Sequence, residues 1–358
     1  MNNLFKNIYK NKKVLITGHT GFKGSWLALW LNELGADVVG YALDPKTDKD
    51  NFVVTGLANK IKKDIRADIR DKEKLFKVFK EEKPEIVFHL AAQPLVMESY
   101  EHPLETFDTN IMGTVNVLDA IRKTNSVLTG IMITSDKCYE NREMIWGYRE
   151  NDPMGGHDPY SASKGAAELV INSYRKSFLK KDEKSIASAR AGNVIGGGDW
   201  SDYRLIPDFI RAIEAEQPIE IRNPQATRPW QHVLEPLSGY LLLGAKMMGK
   251  PDIYDEAWNF GPYSNEIYPV KDVVEKMIRK LGKGTWKDVS KSNKHHEANL
   301  LTLDITKALT QLGWKQVLNF DENIDMTIDW YKNYSTNEDM YEFCKNQIEK
   351  YLNKMEHR

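Results

Sequence analysis

Lys13-Val14-Leu15-Ile16-Thr17-Gly18-His19-Thr20-Gly21-Phe22-Lys23-Gly24 is the stretch that decides the fold of this chain. Its first five residues read as a short buried strand, and the pattern over 25–34 reads as a helix. Between them lies G-x-x-G-x-x-G, which is informative only in that strand-to-helix setting. There the glycines permit a tight turn and let backbone amides approach a pyrophosphate at a helix N-terminus. Gly18, Thr20, Gly21, Phe22, Lys23 and Gly24 are therefore candidate dinucleotide contacts. A second strand, 37–43, ends at Asp44, twenty residues after Gly24. A carboxylate there accepts bonds from an adenosine ribose 2′-hydroxyl and repels a 2′-phosphate, favouring NAD over NADP. Asp44 also precedes Pro45, so a plain turn start is the competing reading.

Outward from this turn, the first half alternates strands and helices: a strand ending near Asp68, a helix over 71–82, a strand over 85–90, a helix over 106–122 and a strand over 130–133. Repeated β-α units predict an α/β fold with a doubly wound parallel sheet of Rossmann type. In such sheets ligands sit beyond the carboxyl ends of the strands. Gly18, Asp44, Asp68, Ala91 and Ser135 all follow strands and are expected to converge on one crevice. From about Arg190 the pattern changes to a glycine-rich loop (192–200) and short helices at 205–216 and 270–281. We expect a dinucleotide-binding domain over 1–189 and a smaller C-terminal substrate lobe over 190–358, with the apolar stretch 232–258 packing back on the first domain. The polar tail after Tyr334 says little.

Composition removes several function classes. The 358 residues carry 50 basic and 51 acidic side chains, so no global basic field suggests nucleic acid. Two cysteines, Cys138 and Cys344, argue against a disulfide framework and against a cysteine metal site, and no metal is expected. Cys138 reads as a small apolar filler. No apolar run approaches the ~20 residues that cross a bilayer. The first 13 residues lack a signal-peptide core. The expectation is a cytoplasmic protein without membrane or nucleic-acid partners.

Two reactive constellations follow the strand at 130–133: Thr134-Ser135-Asp136-Lys137 and Tyr160-Ser161-Ala162-Ser163-Lys164. Tyr160 and Lys164 share one helix face. A free tyrosine, pKa about 10, is a poor base at neutral pH. A nearby lysine cation favours the phenolate, which can then take a proton from an alcohol while a hydride leaves the same carbon. Lys164 is also placed to bond a nicotinamide ribose.

These residues together resemble the extended short-chain dehydrogenase/reductase family, in its nucleotide-sugar 4,6-dehydratase branch. The resemblance covers roughly residues 10–330. It is carried by 18–24, Ala-Ala-Gln-Pro-Leu-Val (91–96), Thr-Ser-Asp-Lys-Cys-Tyr (134–139), Gly-Tyr-Arg-Glu (147–150), Tyr160/Lys164, Arg-Ala-Gly-Asn-Val-Ile-Gly-Gly-Gly-Asp-Trp (190–200) and Arg-Pro-Trp-Gln-His-Val (228–233). It implies that Ser135, Tyr160 and Lys164 form the hydride-transfer set, that Asp68 and Ile69 flank adenine, and that Ala91, Ala92 and Gln93 lie beside the cofactor. It implies that Asn110 shapes the site, and that Asn193, Arg204, Arg228 and the His296-Glu297 segment hold the nucleotide and diphosphate. An arginine fork suits a diphosphate in charge and geometry. The helices at 106–122 and 160–175 are similar to those that pair into a dimer in this family, so a homodimer or homotetramer is expected.

The resemblance is greatest to branch members that act on CDP-glucose, in deoxysugar biosynthesis of lipopolysaccharide O-antigen type. No residue here reads cytosine by chemistry of its own. The implied reaction oxidises C4 with Tyr160 as base, eliminates water across C5 and C6 with Asp136 as acid, and returns the hydride to C6, so NAD is recycled. The dTDP-glucose enzymes resemble Thr-Asp-Glu at 135–137, with the glutamate as C5 base; this chain has Ser135-Asp136-Lys137. Lys137 acts as base only with a lowered pKa. Alternatively it stabilises the C4 oxyanion or enolate as a cation, or holds Asp136 ionised. A C4 epimerase needs no acid and base at 136 and 137. A non-catalytic dinucleotide sensor needs no Tyr/Lys pair, and a simple dehydrogenase releases NADH.

Overall fold

The computed structural model describes residues 5, 7–290, 300–336 and 339–357. Among these, seven strands form a parallel sheet: β1 (Lys13–Thr17), β2 (Asp37–Ala42), β3 (Lys63–Arg66), β4 (Ile86–His89), β5 (Thr129–Ile133), β6 (Ser185–Arg190) and β7 (Ala257–Asn259). They lie in the order β7-β6-β5-β4-β1-β2-β3, every neighbouring pair parallel. β1 shows why its middle residues, Val14, Leu15 and Ile16, are all apolar. Val14 and Ile16 join the core on one face, and Leu15 joins the core on the other. A parallel sheet covered on both faces needs apolar residues on both.

The covering helices are α1 (Phe22–Glu33), α2 (Lys72–Glu82), α3 (Gly113–Lys123), α4 (Pro159–Tyr174) and α5 (Leu234–Gly249). Trp26 of α1 and Leu237 and Leu241 of α5 pack with Ile16 and Phe88. Leu75 of α2, Val117 and Ile121 of α3 and Ile171 of α4 pack with Leu15 and Val87 on the opposite face. The apolar stretch 232–258 thus lies against the sheet, and the Tyr9 hydroxyl bonds the Leu241 carbonyl at 2.6 Å. It also supplies β7, whose three residues are too few for a periodic signal.

The helix expected over 106–122 starts three residues earlier and carries a π-turn. A short helix, Pro103–Phe107, runs through a π-turn at Asp108–Met112 into α3. The tail after Tyr334 forms α6 (Met340–Glu356), which packs on α1. Trp30 and Tyr351 meet edge to face at 5.9 Å, and the Tyr341 hydroxyl donates to Glu33 at 2.7 Å and accepts from Asn32. Beyond Arg190 the chain builds helices Leu205–Glu214 and Val270–Leu281 and small pairs such as Thr227–Arg228 with Tyr268–Pro269. The first helix stops two residues short of the expected 216, where Glu216 takes a φ of 54°.

Candidate active site

The turn after β1 is built for close backbone approach. Gly18 has φ +77°, and a Cβ there would lie 2.7 Å from the Ala91 nitrogen. A Cβ on Gly24 would sit 2.0 Å from the Gly18 carbonyl oxygen. The first turn of α1 holds no acidic residue, and Lys23 occupies it. Free amides, a positive helix end and an absent Cβ together fit a dinucleotide pyrophosphate.

Gly18, Asp44, Asp68, Ala91 and Ser135 converge as expected on one cavity of about 1010 Å³. Asp44 is exposed (85 %) and lies 3.6 Å from Arg66, which also pairs with Asp64 at 2.8 Å. Arg66 lies over the Phe52 ring. The Asp44 ribose reading therefore gains a cationic neighbour that the linear sequence did not reveal. The Asp68 carboxylate is taken by Arg70, with Nη2 at 2.6 Å. Its hydrogen bonds to Arg70 hold it below the usual carboxylate pKa. Ile69 is buried against Gly113, where any Cβ would approach it to 2.7 Å.

Ala91, Ala92 and Gln93 line the cavity, but Asn110 does not. Asn110 Oδ1 accepts from the Gln93 backbone at 2.8 Å, and its Nδ2 donates to the Gln93 carbonyl and to Ser163 Oγ. Both its amide hydrogens are used within the protein, so it braces the β4 loop against α4. The wide π-turn that carries it is what the sequence pattern missed.

Asp158 caps α4 by accepting from the Ser161 amide, and Pro159 supplies the first helical residue. The next residues bring Tyr160 and Lys164 into the cavity wall. Opposite, Ser135 caps the short turn Asp136–Cys138; its Oγ accepts from the Lys137 amide at 3.2 Å and donates to Asp136 Oδ1 at 2.9 Å. Tyr160 and Ser135 both line this cavity. Burial pushes the Tyr160 pKa up to about 12; Ser135 opposes this, Asp136 adds to it, and Arg204 opposes it. The expected lowering by Lys164 is therefore not what this arrangement gives: burial prevails, and the opposing cation is Arg204. Burial also lowers Lys164 to about 8. Its Nζ stands 6.0 Å from the centre of the Tyr160 ring.

Asp136 is buried, and its Oδ2 has no hydrogen-bond partner among the described residues. A Cβ on Gly192 would fall 1.8 Å from that oxygen, so the loop after β6 must carry glycine there. Lys137 is half-buried and lines the same cavity. Cys138 is a buried free thiol whose pKa burial raises, which fits a filler.

Lys23 plays a part the glycine pattern did not suggest. Its charged neighbours are Arg204, Lys164, Asp136 and Asp199, and it lines the same cavity as they do. Burial first, then repulsion by Arg204 and Lys164, lowers it to about 8. Glu168 was missed too. It lies one turn beyond Lys164 and accepts from Thr134, Ser188 and Arg190. The i, i+4, i+8 spacing of 160, 164 and 168 was the available signal.

From the second lobe, Arg204 is held by Asp199 at 2.7 Å and lines the cavity with Asn193 and Arg228. Arg228 is buried, and its Nη1 bonds the Thr227 carbonyl. Asn193 takes φ +50°, a conformation asparagine tolerates better than most residues. His296 lies outside the described residues.

The parallel sheet, the glycine turn and the Tyr160/Lys164 pair define an extended short-chain dehydrogenase/reductase. The family model described as GDP-mannose 4,6 dehydratase matches residues 15–327, and the chain belongs to that family. It is 48% identical over 352 residues to the CDP-glucose 4,6-dehydratase of Salmonella typhimurium, covering 97% of this chain and 98% of that protein. Among solved structures, the epimerase Mth375 of Methanothermobacter thermautotrophicus superposes with a TM-score of 0.80 at 24% identity, over 94% of this chain and 96% of that one. The dTDP-glucose 4,6-dehydratase of Bacillus anthracis in complex with NAD gives 0.76 at 21% identity, over 90% and 97%.

Proposed function

We propose that this chain converts CDP-glucose to CDP-4-keto-6-deoxyglucose by NAD-dependent 4,6-dehydration. The observation that carries the reading is the presence of Asp136 and Lys137 on the cavity that also holds Tyr160 and Lys164. Oxidation needs only the second pair; elimination needs an acid and a C5 partner as well. The 48% identity to a CDP-glucose enzyme supports the choice of nucleotide.

NAD, when bound, supplies a hydride acceptor and gives the same hydride back. The turn 18–24, Asp44, Asp68, Ile69 and the loop 91–93 would hold it. Tyr160 takes the C4 hydroxyl proton, and Arg204 and Ser135 favour its phenolate. Asp136 protonates the departing C6 hydroxyl. Lys137 serves at C5, as the base or as the cation facing the enolate. Asn193, Arg204 and Arg228 of the lobe beyond residue 190 hold the nucleotide diphosphate.

CDP-glucose deuterated at C4, incubated with substoichiometric NAD⁺, tests this. The expected product is the 4-keto-6-deoxy nucleotide with deuterium at C6; product without it rejects the mechanism. A galactose isomer would mark an epimerase. Conversion limited by NAD⁺ would mark a dehydrogenase.

Leu104 (84 %), Phe107, Met112, Leu169 (61 %) and Phe178 are exposed apolar side chains on helices 103–123 and 159–179. They support a homodimer through these helices, or a homotetramer built from it; light scattering of wild type and Leu169→Glu checks this. Among the described residues no helix is long and apolar enough to cross a membrane, and we place the enzyme in the cytoplasm, in deoxysugar biosynthesis of lipopolysaccharide type.

A further inference from the structure

Asn193, Arg204 and Arg228 suit a diphosphate, which CDP shares with every nucleoside diphosphate. The base must be told apart by other groups on the same cavity. Past Arg204 its wall includes Pro207, Asp208, Ile221, Arg222 and Val270.

Arg204 is the N-cap of helix Leu205–Glu214. Asp208 lies one turn on, its amide donating to the Arg204 carbonyl at 3.0 Å. Residues four apart share a helix face, so the two side chains follow one another along the wall. Four residues advance about 6 Å along the axis. That is the scale of the ribose between a diphosphate and its base.

Asp208 is half-buried, and Arg211 Nη2 donates to its Oδ1. Arg211 also bonds the Trp200 carbonyl at 3.0 Å, which anchors the pair. A carboxylate offers about four acceptor sites, and Arg211 takes one. Arg222 follows the strand Ile219–Ile221, which packs against this helix. Its Nη2 donates to the Tyr203 carbonyl at 3.1 Å, one of the five N–H groups of a guanidinium. Glu220 on that strand lines the cavity too, but Lys287 takes it at 2.8 Å and its side chain is 61 % exposed.

Cytosine carries an amine at C4 and acceptors at N3 and O2. Uracil and thymine carry a carbonyl at C4 and a hydrogen on N3. A carboxylate accepts from the cytosine amine and repels the carbonyl. We propose that Asp208 reads the base by accepting from the C4 amine, while Arg222 donates to the N3 and O2 edge. The site then takes CDP-linked sugars and rejects UDP- and dTDP-linked ones. This rests on the CDP-glucose reading above and names the residues that would select the nucleotide.

The test is calorimetric titration of NAD⁺-loaded enzyme with three diphosphates: CDP, UDP and that of pyrimidin-2-one riboside, which is CDP without the amine. The wild type should bind CDP about tenfold to hundredfold more tightly than the analogue, the range of one hydrogen bond to a charged group, and UDP more weakly still. In Asp208→Asn, CDP should lose about tenfold or more, UDP should gain, and the analogue should change less than about threefold. Asp208→Ser replaces the asparagine variant should that not fold. A wild type that binds CDP and the analogue alike, or a variant that keeps the wild-type ratio of CDP to UDP, overturns the assignment of Asp208. Turnover of CDP-glucose to the 4-keto-6-deoxy product, measured beside these titrations, separates the two readings. Product formed without the binding preference overturns Asp208 alone, and the preference without product supports Asp208 while rejecting the dehydratase.

Discussion

Glu168 and Arg190 form a two-pronged buried ion pair next to the loop 134–137, Nε to Oε1 at 2.9 Å and Nη2 to Oε2 at 2.7 Å. The remaining Glu168 valences take the Thr134 and Ser188 hydroxyls. Arg190 Nη1 bonds the Tyr139 hydroxyl at 2.6 Å, which in turn bonds Asn259 of β7. One carboxylate thus ties the residue before Ser135 to the helix that carries Tyr160 and Lys164.

Removing one member leaves the other charge buried and alone. Arg190→Met is expected to cost about 3–5 kcal/mol of stability, read from denaturant unfolding. Burial raises the Glu168 pKa, but Arg190 and the hydrogen bonds from Arg190, Thr134 and Ser188 outweigh it and hold it below the ordinary value. A carboxyl lowered in the folded state gives stability that is present above its unfolded pKa of about 4.3 and lost as pH falls through the folded value. The acid unfolding limb of Arg190→Met should therefore be shallower than that of the wild type.

Gly24→Ala places a methyl group 2.0 Å from the Gly18 carbonyl. The turn must open, at an expected cost of about 1–3 kcal/mol. Dinucleotide binding should weaken more than stability does, because the same amides form the pyrophosphate cradle. Calorimetric titration with NAD⁺ and a thermal melt, run together, check this; unchanged affinity would remove the turn from the binding site.

Lys23 and Lys164 both titrate near 8, burial being the first cause in each. Each is cationic below that pH and loses its charge as pH rises through it. Affinity for NAD⁺ should fall roughly tenfold between about pH 7 and 9, the scale of one charge-assisted hydrogen bond. Lys23→Met should bind more weakly at pH 7 and show a flatter profile, measured by the same titration. An identical pH dependence in variant and wild type would separate Lys23 from the ligand.

Lys137→Ala should retain oxidation at C4 but slow elimination by about 10²- to 10⁴-fold, the usual weight of a positioned proton-transfer group. Reduced nicotinamide then accumulates in a single turnover, and exchange of the C5 hydrogen with deuterated solvent slows. A variant with full turnover would remove Lys137 from the mechanism.

Much of this molecule is legible in order along the chain. The run Lys13–Gly24, the spacing from Tyr160 to Lys164 and the strand-ending positions of Gly18, Asp44, Asp68, Ala91 and Ser135 depend on local patterns. A strand buried on both faces must be apolar, a glycine turn must avoid side chains, and i, i+4 residues must share a helix face. Those rules act within a few residues, so the doubly wound sheet and the two reactive segments were determined by sequence alone.

Tertiary structure decided what those segments meet. Whether Asn110 touches a ligand or braces a loop depended on a π-turn and on Ser163, 53 positions away. Whether a cation lowers the Tyr160 pKa depended on burial and on Arg204 arriving from the other lobe. Asp44 has Arg66 beside it, Asp136 has Gly192, and Glu168 has Arg190, all from distant segments. Electrostatics and steric exclusion act through space, over a few ångströms, and no local periodicity records which remote residue closes that distance.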